Sequence, residues 1–203
     1  MMVLYEKDNL VVETIKKEDI DDVIYLFNST NFNCDRESGA LRPNDWQFRQ
    51  IMEDIIDGNK LNQVLVLKKN NCIIGYLSCY IEYDTLNLGH IVVLETERNQ
   101  GYGKLLTQLA IELASNDNRR VSLTCFYSNV RFLKELGFEK IGVSYICKRR
   151  VKNPGLPNLF MSIEEYHKMA EEKFEKEREK WNEFLSSGII DILKDIDNNT
   201  RIK

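Results

Sequence analysis

The sequence predicts a mixed α/β domain: a mostly antiparallel sheet of six to seven strands, helices on both faces, and a C-terminal helical extension. Three observations point there. Apolar, β-branched runs at Val64–Leu67, Cys72–Tyr83 and His90–Leu94 are separated by short polar turns, the pattern of an antiparallel meander. The run ending at Leu94 passes through Arg98-Asn99-Gln100-Gly101-Tyr102-Gly103 into a helical pattern, Lys104–Ala114, which makes one parallel-type crossover. From Ser162 onward the chain becomes highly charged with helical spacing.

The elements follow in order. Leu10–Thr14 reads as the first strand. Lys17-Glu18-Asp19 opens a helix, Ile20–Phe27, with Ile20, Val23, Ile24 and Phe27 on one face. Asn28–Asn44 is a long polar segment of the kind that shapes a binding site. Trp46–Ile56 is a second helix, stopped by Asp57-Gly58-Asn59. Lys69-Asn70-Asn71 is a hairpin turn, and a second turn is expected at Asp84–Asn87. After the crossover come a strand at Arg120–Phe126, a helix at Asn129–Leu136 capped by Ser128 and stopped by Gly137, and strand-like runs at Lys140–Arg149 and Leu159–Met161.

Two units are expected, residues 1–162 and 163–203. Ser162-Ile163-Glu164-Glu165 is a capping-box pattern. The helix behind it carries a narrow apolar stripe, Ile163, Tyr166, Ala170, Phe174, Trp181 and Leu185. Two roles are open to this stripe: packing on its own domain, or joining a partner, including a second copy as a homodimer.

Composition narrows the function. The chain has 203 residues, 43% hydrophobic and 30% charged, with a net charge of -4. That balance argues against binding nucleic acid by phosphate neutralisation. No apolar run approaches a membrane span, and no signal-peptide pattern opens the chain, so no membrane partner and a cytoplasmic location are expected. The five cysteines, Cys34, Cys72, Cys79, Cys125 and Cys147, form no C-x-x-C pair. Cys72, Cys79, Cys125 and Cys147 read as reduced core thiols. With only His90 and His167, no zinc site can be assembled at the usual spacings.

The chemistry lies in the loop Arg98–Lys104. Its glycines permit left-handed turns and close approach of a ligand to the backbone. A helix starting there directs unpaired N–H groups at the loop, and an anion gains ~0.3–2 kcal/mol from the helix dipole alone. Arg98 and Lys104 add positive charge. A phosphate site and a plain strand–helix turn both fit this heptapeptide by itself. A P-loop is a poor fit because the Gly-Lys-Ser/Thr ending is missing, and a dinucleotide fingerprint because the third glycine is missing.

The segment Ile91–Gly103 resembles the acetyl-CoA-binding motif of the GNAT superfamily of N-acetyltransferases: a strand ending in Val93, then Arg98-Asn99-Gln100-Gly101-Tyr102-Gly103. Phe132-Leu133-Lys134-Glu135-Leu136-Gly137-Phe138 resembles the family's Phe/Leu-Tyr-x-x-x-Gly-Phe. Glu13–Asp19 and the helix after it resemble the family's usual start. The likeness spans roughly residues 10–162. It implies acetyl-CoA as acyl donor, no metal, and an amine as acceptor, either a small molecule or a protein amine. It implies that N–H groups from Gln100 to Lys104 hold the pyrophosphate. The strand residues Ile91, Val92 and Val93 would pair with the pantetheine arm, and an N–H on that strand would polarise the thioester carbonyl. Asn129 would hydrogen-bond the arm, or serve simply as the first residue of its helix.

The sequence departs from the pattern at the reactive end. Where many members carry a tyrosine that protonates the leaving thiolate, this chain has Leu133. Tyr127 is the nearest phenol in sequence. Where some relatives carry a base near the start of the motif strand, this chain reads Leu86-Asn87-Leu88-Gly89-His90. His90 has the right intrinsic pKa for a base, although strand alternation can turn it away from the thioester. Glu82 and Asp84 at the hairpin are either solvated carboxylates or contacts for a cationic substrate. Two functions therefore stand: an N-acetyltransferase for a primary amine, and a catalytically reduced acyl-CoA-binding sensor or interaction module.

Overall fold

The computed structural model describes residues 2–29, 44–123, 130–142, 144–152 and 155–186. The described chain forms two compact units, Met1–Met161 and Ser162–Lys203. The first is built on one eight-stranded sheet. Its strands are β1 (Val3–Lys7), β2 (Leu10–Thr14), β3 (Asn62–Lys69), β4 (Cys72–Glu82), β5 (Thr85–Val93), β6 (Arg120–Leu123), β7 (Glu139–Ile141) and β8 (Ser144–Cys147). They lie in the order β1-β2-β3-β4-β5-β6-β8-β7. Among the described residues only the β5–β6 pair is parallel, and the helix α3 (Tyr102–Ser115) makes that crossover.

The helices α1 (Ile20–Ser29) and α2 (Asp45–Ile56) cover the other face from α3. Their apolar sides bury Val23, Phe27, Phe48 and Met52 with Val64, Val66, Tyr76 and Val92 of the sheet in one cluster. Leu65, Leu67, Leu77, Leu86 and Leu106 are fully buried as well. Each central strand thus buries residues on both faces, which is why β3 and β4 read as continuous apolar runs rather than alternating ones.

Buried charges fasten the framework. Lys68 Nζ lies 2.8 Å from Glu13 and 2.6 Å from Asp19, and Lys16 Nζ lies 2.8 Å from Glu13. Burial pushes the Glu13 carboxyl upward in pKa, but hydrogen bonds and charge from Lys16 and Lys68 outweigh it and hold the group below its ordinary value. At the far end, the Arg119 side chain is 1% exposed. It donates to the Tyr83 and Met161 carbonyls at 2.6 and 2.7 Å and pairs with Asp117.

Several expectations change here. Val3–Lys7 adds a strand, because it pairs with the edge of β2 rather than fraying. Lys140–Arg149 is a tight hairpin, not one strand, and turns at Gly142 with φ 62°. Leu159–Met161 is not a strand. It runs as a covering segment, held by Gln63 to the Leu159 carbonyl and by Met161 N–H to the Lys60 carbonyl. The β4–β5 turn is Tyr83-Asp84 rather than Asp84–Asn87, so Leu86 belongs to the strand and the core. Cys72 is exposed at the start of β4, whereas Cys79 and Cys147 are buried; burial pushes the Cys79 thiol up to about 12. The expectations for Cys34, Cys125, the segment 30–43 and the segment 187–203 lie outside the described residues.

The second unit contains α5 (Ile163–Phe184), opened by Ser162 in a reciprocal cap with Glu165. Phe174 and Trp181 on it are 63% exposed. Among the described residues, no helix is long and apolar enough to cross a membrane.

Candidate functional site

The site is built on β5 and the chain that leaves it. Leu88 pairs with Cys79 and Ile91 with Leu77, so two residues of β5, Gly89 and His90, stand opposite one residue of β4, Ser78. This is a β-bulge. Ser78 makes it possible: its Oγ accepts the His90 backbone N–H at 2.8 Å, supplying the acceptor that regular pairing would provide. Gly89 is needed because a Cβ there would lie 2.8 Å from Ser78 Oγ. Gly75 is needed for the same kind of reason, since its Cβ would lie 2.7 Å from the Val92 carbonyl oxygen.

The bulge shifts the alternation by one. Leu86 and Leu88 before it, and Ile91 and Val93 after it, share the α3 side. His90 shares the α1–α2 side with Val92. Its ring packs edge-on to Phe27 and Phe48 at centroid distances of 5.2 and 6.1 Å, with Nδ1 3.4 Å from Ser78 Oγ.

The bulge also sets which groups of β5 face away from β4. The described pairs of β5 with parallel β6 run from Thr85 to Leu88. Beyond them, Leu94 N–H bonds to the Ile74 carbonyl on β4 at 2.8 Å. In an antiparallel ladder this sets the alternation, so Val92 also faces β4 while the N–H and C=O groups of Ile91 and Val93 point to the opposite edge. Arg98 Nε already uses that edge, donating to the Val93 carbonyl at 3.2 Å.

After β5 the chain makes a short helical turn at Glu95–Glu97, then Asn99 and Gly101 take left-handed conformations at φ 64° and 85°. Gly101 opens α3. The first bond of α3 joins Leu105 N–H to the Gly101 carbonyl at 3.0 Å, which leaves the N–H groups of Tyr102, Gly103 and Lys104 without helical acceptors. Arg98, Asn99, Gln100, Gly101 and Lys104 are exposed. The Phe132 ring lies beside Gly103, 3.9 Å from where a Cβ would stand, an ordinary contact distance. The loop therefore fits a diphosphate: three backbone donors, a helix N-terminus and two cationic side chains around one exposed turn. The outward N–H and C=O groups of Ile91 and Val93 fit an amide-bearing arm.

Phe132, Leu133 and Lys134 belong to α4 (Val130–Glu135). It closes in a Schellman motif: Phe138 N–H bonds to the Leu133 carbonyl, Gly137 N–H to the Lys134 carbonyl, and Gly137 has φ 88°. Leu133 is 1% exposed, so the position where relatives place a phenol is part of the core. Tyr127 and Asn129 lie outside the described residues. At the hairpin, Asp84 is committed to Arg120 through two oxygens at 2.9 Å; Arg120 hydrogen bonding holds its carboxyl below the ordinary range. Among the described residues, no group of three or more His, Cys, Asp or Glu side chains can hold a metal.

The Acetyltransferase (GNAT) family model matches residues 22–138, more than half of the chain. The chain belongs to the GNAT acetyltransferase family. Solved structures share its fold. PaiA N-acetyltransferase of Thermoplasma acidophilum, in complex with coenzyme A, aligns with a TM-score of 0.56 at 13% identity, over 68% of this chain and 97% of that one. The ribosomal-protein alanine N-acetyltransferase of Escherichia coli gives 0.56 at 12% identity, over 73% and 99%. A GNAT acetyltransferase of Staphylococcus aureus gives 0.54 at 19%, over 68% and 98%. A sequence comparison with curated proteins gives no match.

Sequence reasoning missed two parts of the site. Ser78 carried no motif. Its partner signal was the three-residue step from Leu88 to Ile91 in an otherwise alternating strand, with Gly89 inside it. The second is an ion pair between Lys69 and Glu97, which lie 28 positions apart.

Proposed function

We propose that the protein transfers an acetyl group from acetyl-CoA to a primary amine by direct attack while both are bound. The observation that carries this is the junction at the end of β5, where the outward N–H and C=O groups of Ile91 and Val93 lead into a glycine loop whose helix-start N–H groups have no helical acceptors among the described residues. The donor supplies an activated thioester. Gln100–Lys104 and Arg98 hold its diphosphate, Asn129 its pantetheine arm, and Ile91–Val93 receive that arm along their outward edge, where the N–H groups of Ile91 or Val93 polarise the thioester carbonyl.

His90 is the proposed base that takes the amine proton, because it stands at the bulge one residue from Ile91. The approach of its Nδ1 to Ser78 Oγ at 3.4 Å and its edge contacts with Phe27 and Phe48 orient the ring. Tyr127 is the proposed proton donor to the thiolate. The reading places the protein in the cytoplasm, where its thiols stay reduced.

The burial of Leu133 favours a second reading, an acyl-CoA-binding module without transfer. One experiment separates the two. The full chain is incubated with acetyl-CoA and a panel of polyamines, amino acids, aminoglycosides and peptides, and free CoA thiol is measured beside CoA binding. Turnover above hydrolysis with one class, lost in a His90→Gln variant that still binds CoA, supports the transferase. Binding without turnover in any class supports the module.

A further inference from the structure

The loop that would receive the diphosphate is fastened from outside as well as within. Leu94 N–H to the Ile74 carbonyl and Arg98 Nε to the Val93 carbonyl are fixed by β4, β5 and the loop itself. The third fastening comes from another strand. Lys69 Nζ donates to both carboxylate oxygens of Glu97 at 3.1 and 2.9 Å. Lys69 is the last residue of β3, and β3 is separated from β5 by β4. Glu97 is the residue immediately before Arg98, so the pair ties the turn back across the sheet at the point where the loop begins.

The side chains are 32% and 22% exposed, so the pair is sheltered on most sides. Glu97 hydrogen bonding outweighs an opposing desolvation and, with lesser contributions from Tyr102, holds the Lys69 ammonium above its ordinary pKa. Tyr102 is the first residue of α3. The geometric fastening is to Glu97, at the entrance of the loop Arg98–Gly101.

We propose that Lys69 is a positioning residue for the cofactor loop. By holding Glu97 against the end of β3 it fixes the turn at the entrance of the loop, and so raises affinity for the CoA diphosphate without touching it. This rests on the reading of Arg98–Lys104 as the diphosphate cradle. A purely electrostatic role makes a different prediction. If Lys69 acted only as a positive charge near an anion, removing the Glu97 charge would tighten binding. If the bridge sets geometry, losing either end loosens the loop.

The test is the dissociation constant for free CoA by calorimetry, with thermal unfolding of each protein, on the full chain and its Lys69→Met, Glu97→Gln, double, Lys69→Arg and charge-swapped (K69E with E97K) variants. Each single neutral variant is expected to weaken CoA binding on the order of 5-fold, and the double variant no further than either single. Lys69→Arg and the charge swap restore most of the loss. Unfolding midpoints stay near wild type, and KM for acetyl-CoA rises while kcat holds. Tighter or unchanged binding in Glu97→Gln overturns the inference, as does unchanged binding in Lys69→Met. If wild type binds CoA and both variants match it, this inference alone falls. If wild type does not bind CoA, the cradle reading falls with it.

Discussion

The β4–β5 pair in the middle of the sheet and the loop beyond its carboxyl end are built on opposite principles. In the middle, Gly75, Ser78, Gly89 and His90 fit because there is no spare room. A Cβ at Gly75 or Gly89 would lie 2.7 or 2.8 Å from a neighbouring atom. At the carboxyl end, Gly101 has nothing within 4 Å of an added Cβ and is needed only for its φ of 85°. Packing fixes one region and backbone conformation the other. Substitutions in the middle should therefore act on stability first, and substitutions at the loop on ligand affinity first.

The largest effect should come from Gly75→Ala. Its Cβ meets a backbone oxygen that cannot rotate away, so β4 and β5 must separate. A loss of about 1–3 kcal/mol is expected, read by urea unfolding, with loss of CoA binding in proportion. A variant as stable as wild type would show that the close approach is not real. Leu133→Tyr comes next. It adds a ring and a hydroxyl to a site that is 1% exposed. Overpacking and an unsatisfied phenol should lower stability by about 1–3 kcal/mol without raising the transfer rate. A rate gain at unchanged stability would instead place that position on the cofactor cleft. Gly101→Ala should cost only about 1–2 kcal/mol of conformational strain in the left-handed region, and much of it should appear as weaker CoA binding.

The smallest effect is a pH dependence outside both regions. Glu13 has a folded pKa below its ordinary value. Its contribution is therefore fully present above the ordinary carboxylate pKa and lost as pH falls through the lowered one. Unfolding free energy measured from neutral pH downward should fall less steeply in Glu13→Gln than in wild type across that acid window. Parallel curves would mean that the lysines do not stabilise the carboxylate.

The same contrast explains what was legible in the sequence. The strand–glycine loop–helix signal and the capping box at Ser162 depend on a few consecutive residues, and the structure has both. The Leu-Gly-Phe ending was legible too, because a Schellman motif needs its glycine at one fixed offset. The bulge was not, because Ser78 and Gly89 are neighbours only after β4 and β5 pair. Nor was the burial of Leu133, which is decided by what packs over α4 rather than by the residue itself. Cys72 misled because a hairpin start looks apolar in sequence while its first residue stays exposed. Lys69 read as a turn residue, since its partner Glu97 is distant in the chain.

The central claim is that Arg98–Lys104 is a diphosphate cradle made chiefly of backbone. Calorimetric titration of the full chain with CoA, beside Gly101→Ala, tests it most directly. The account predicts one CoA per chain, with affinity reduced several-fold in Gly101→Ala while its fold is retained. No heat of binding in wild type, or equal affinity in the two folded proteins, would contradict it.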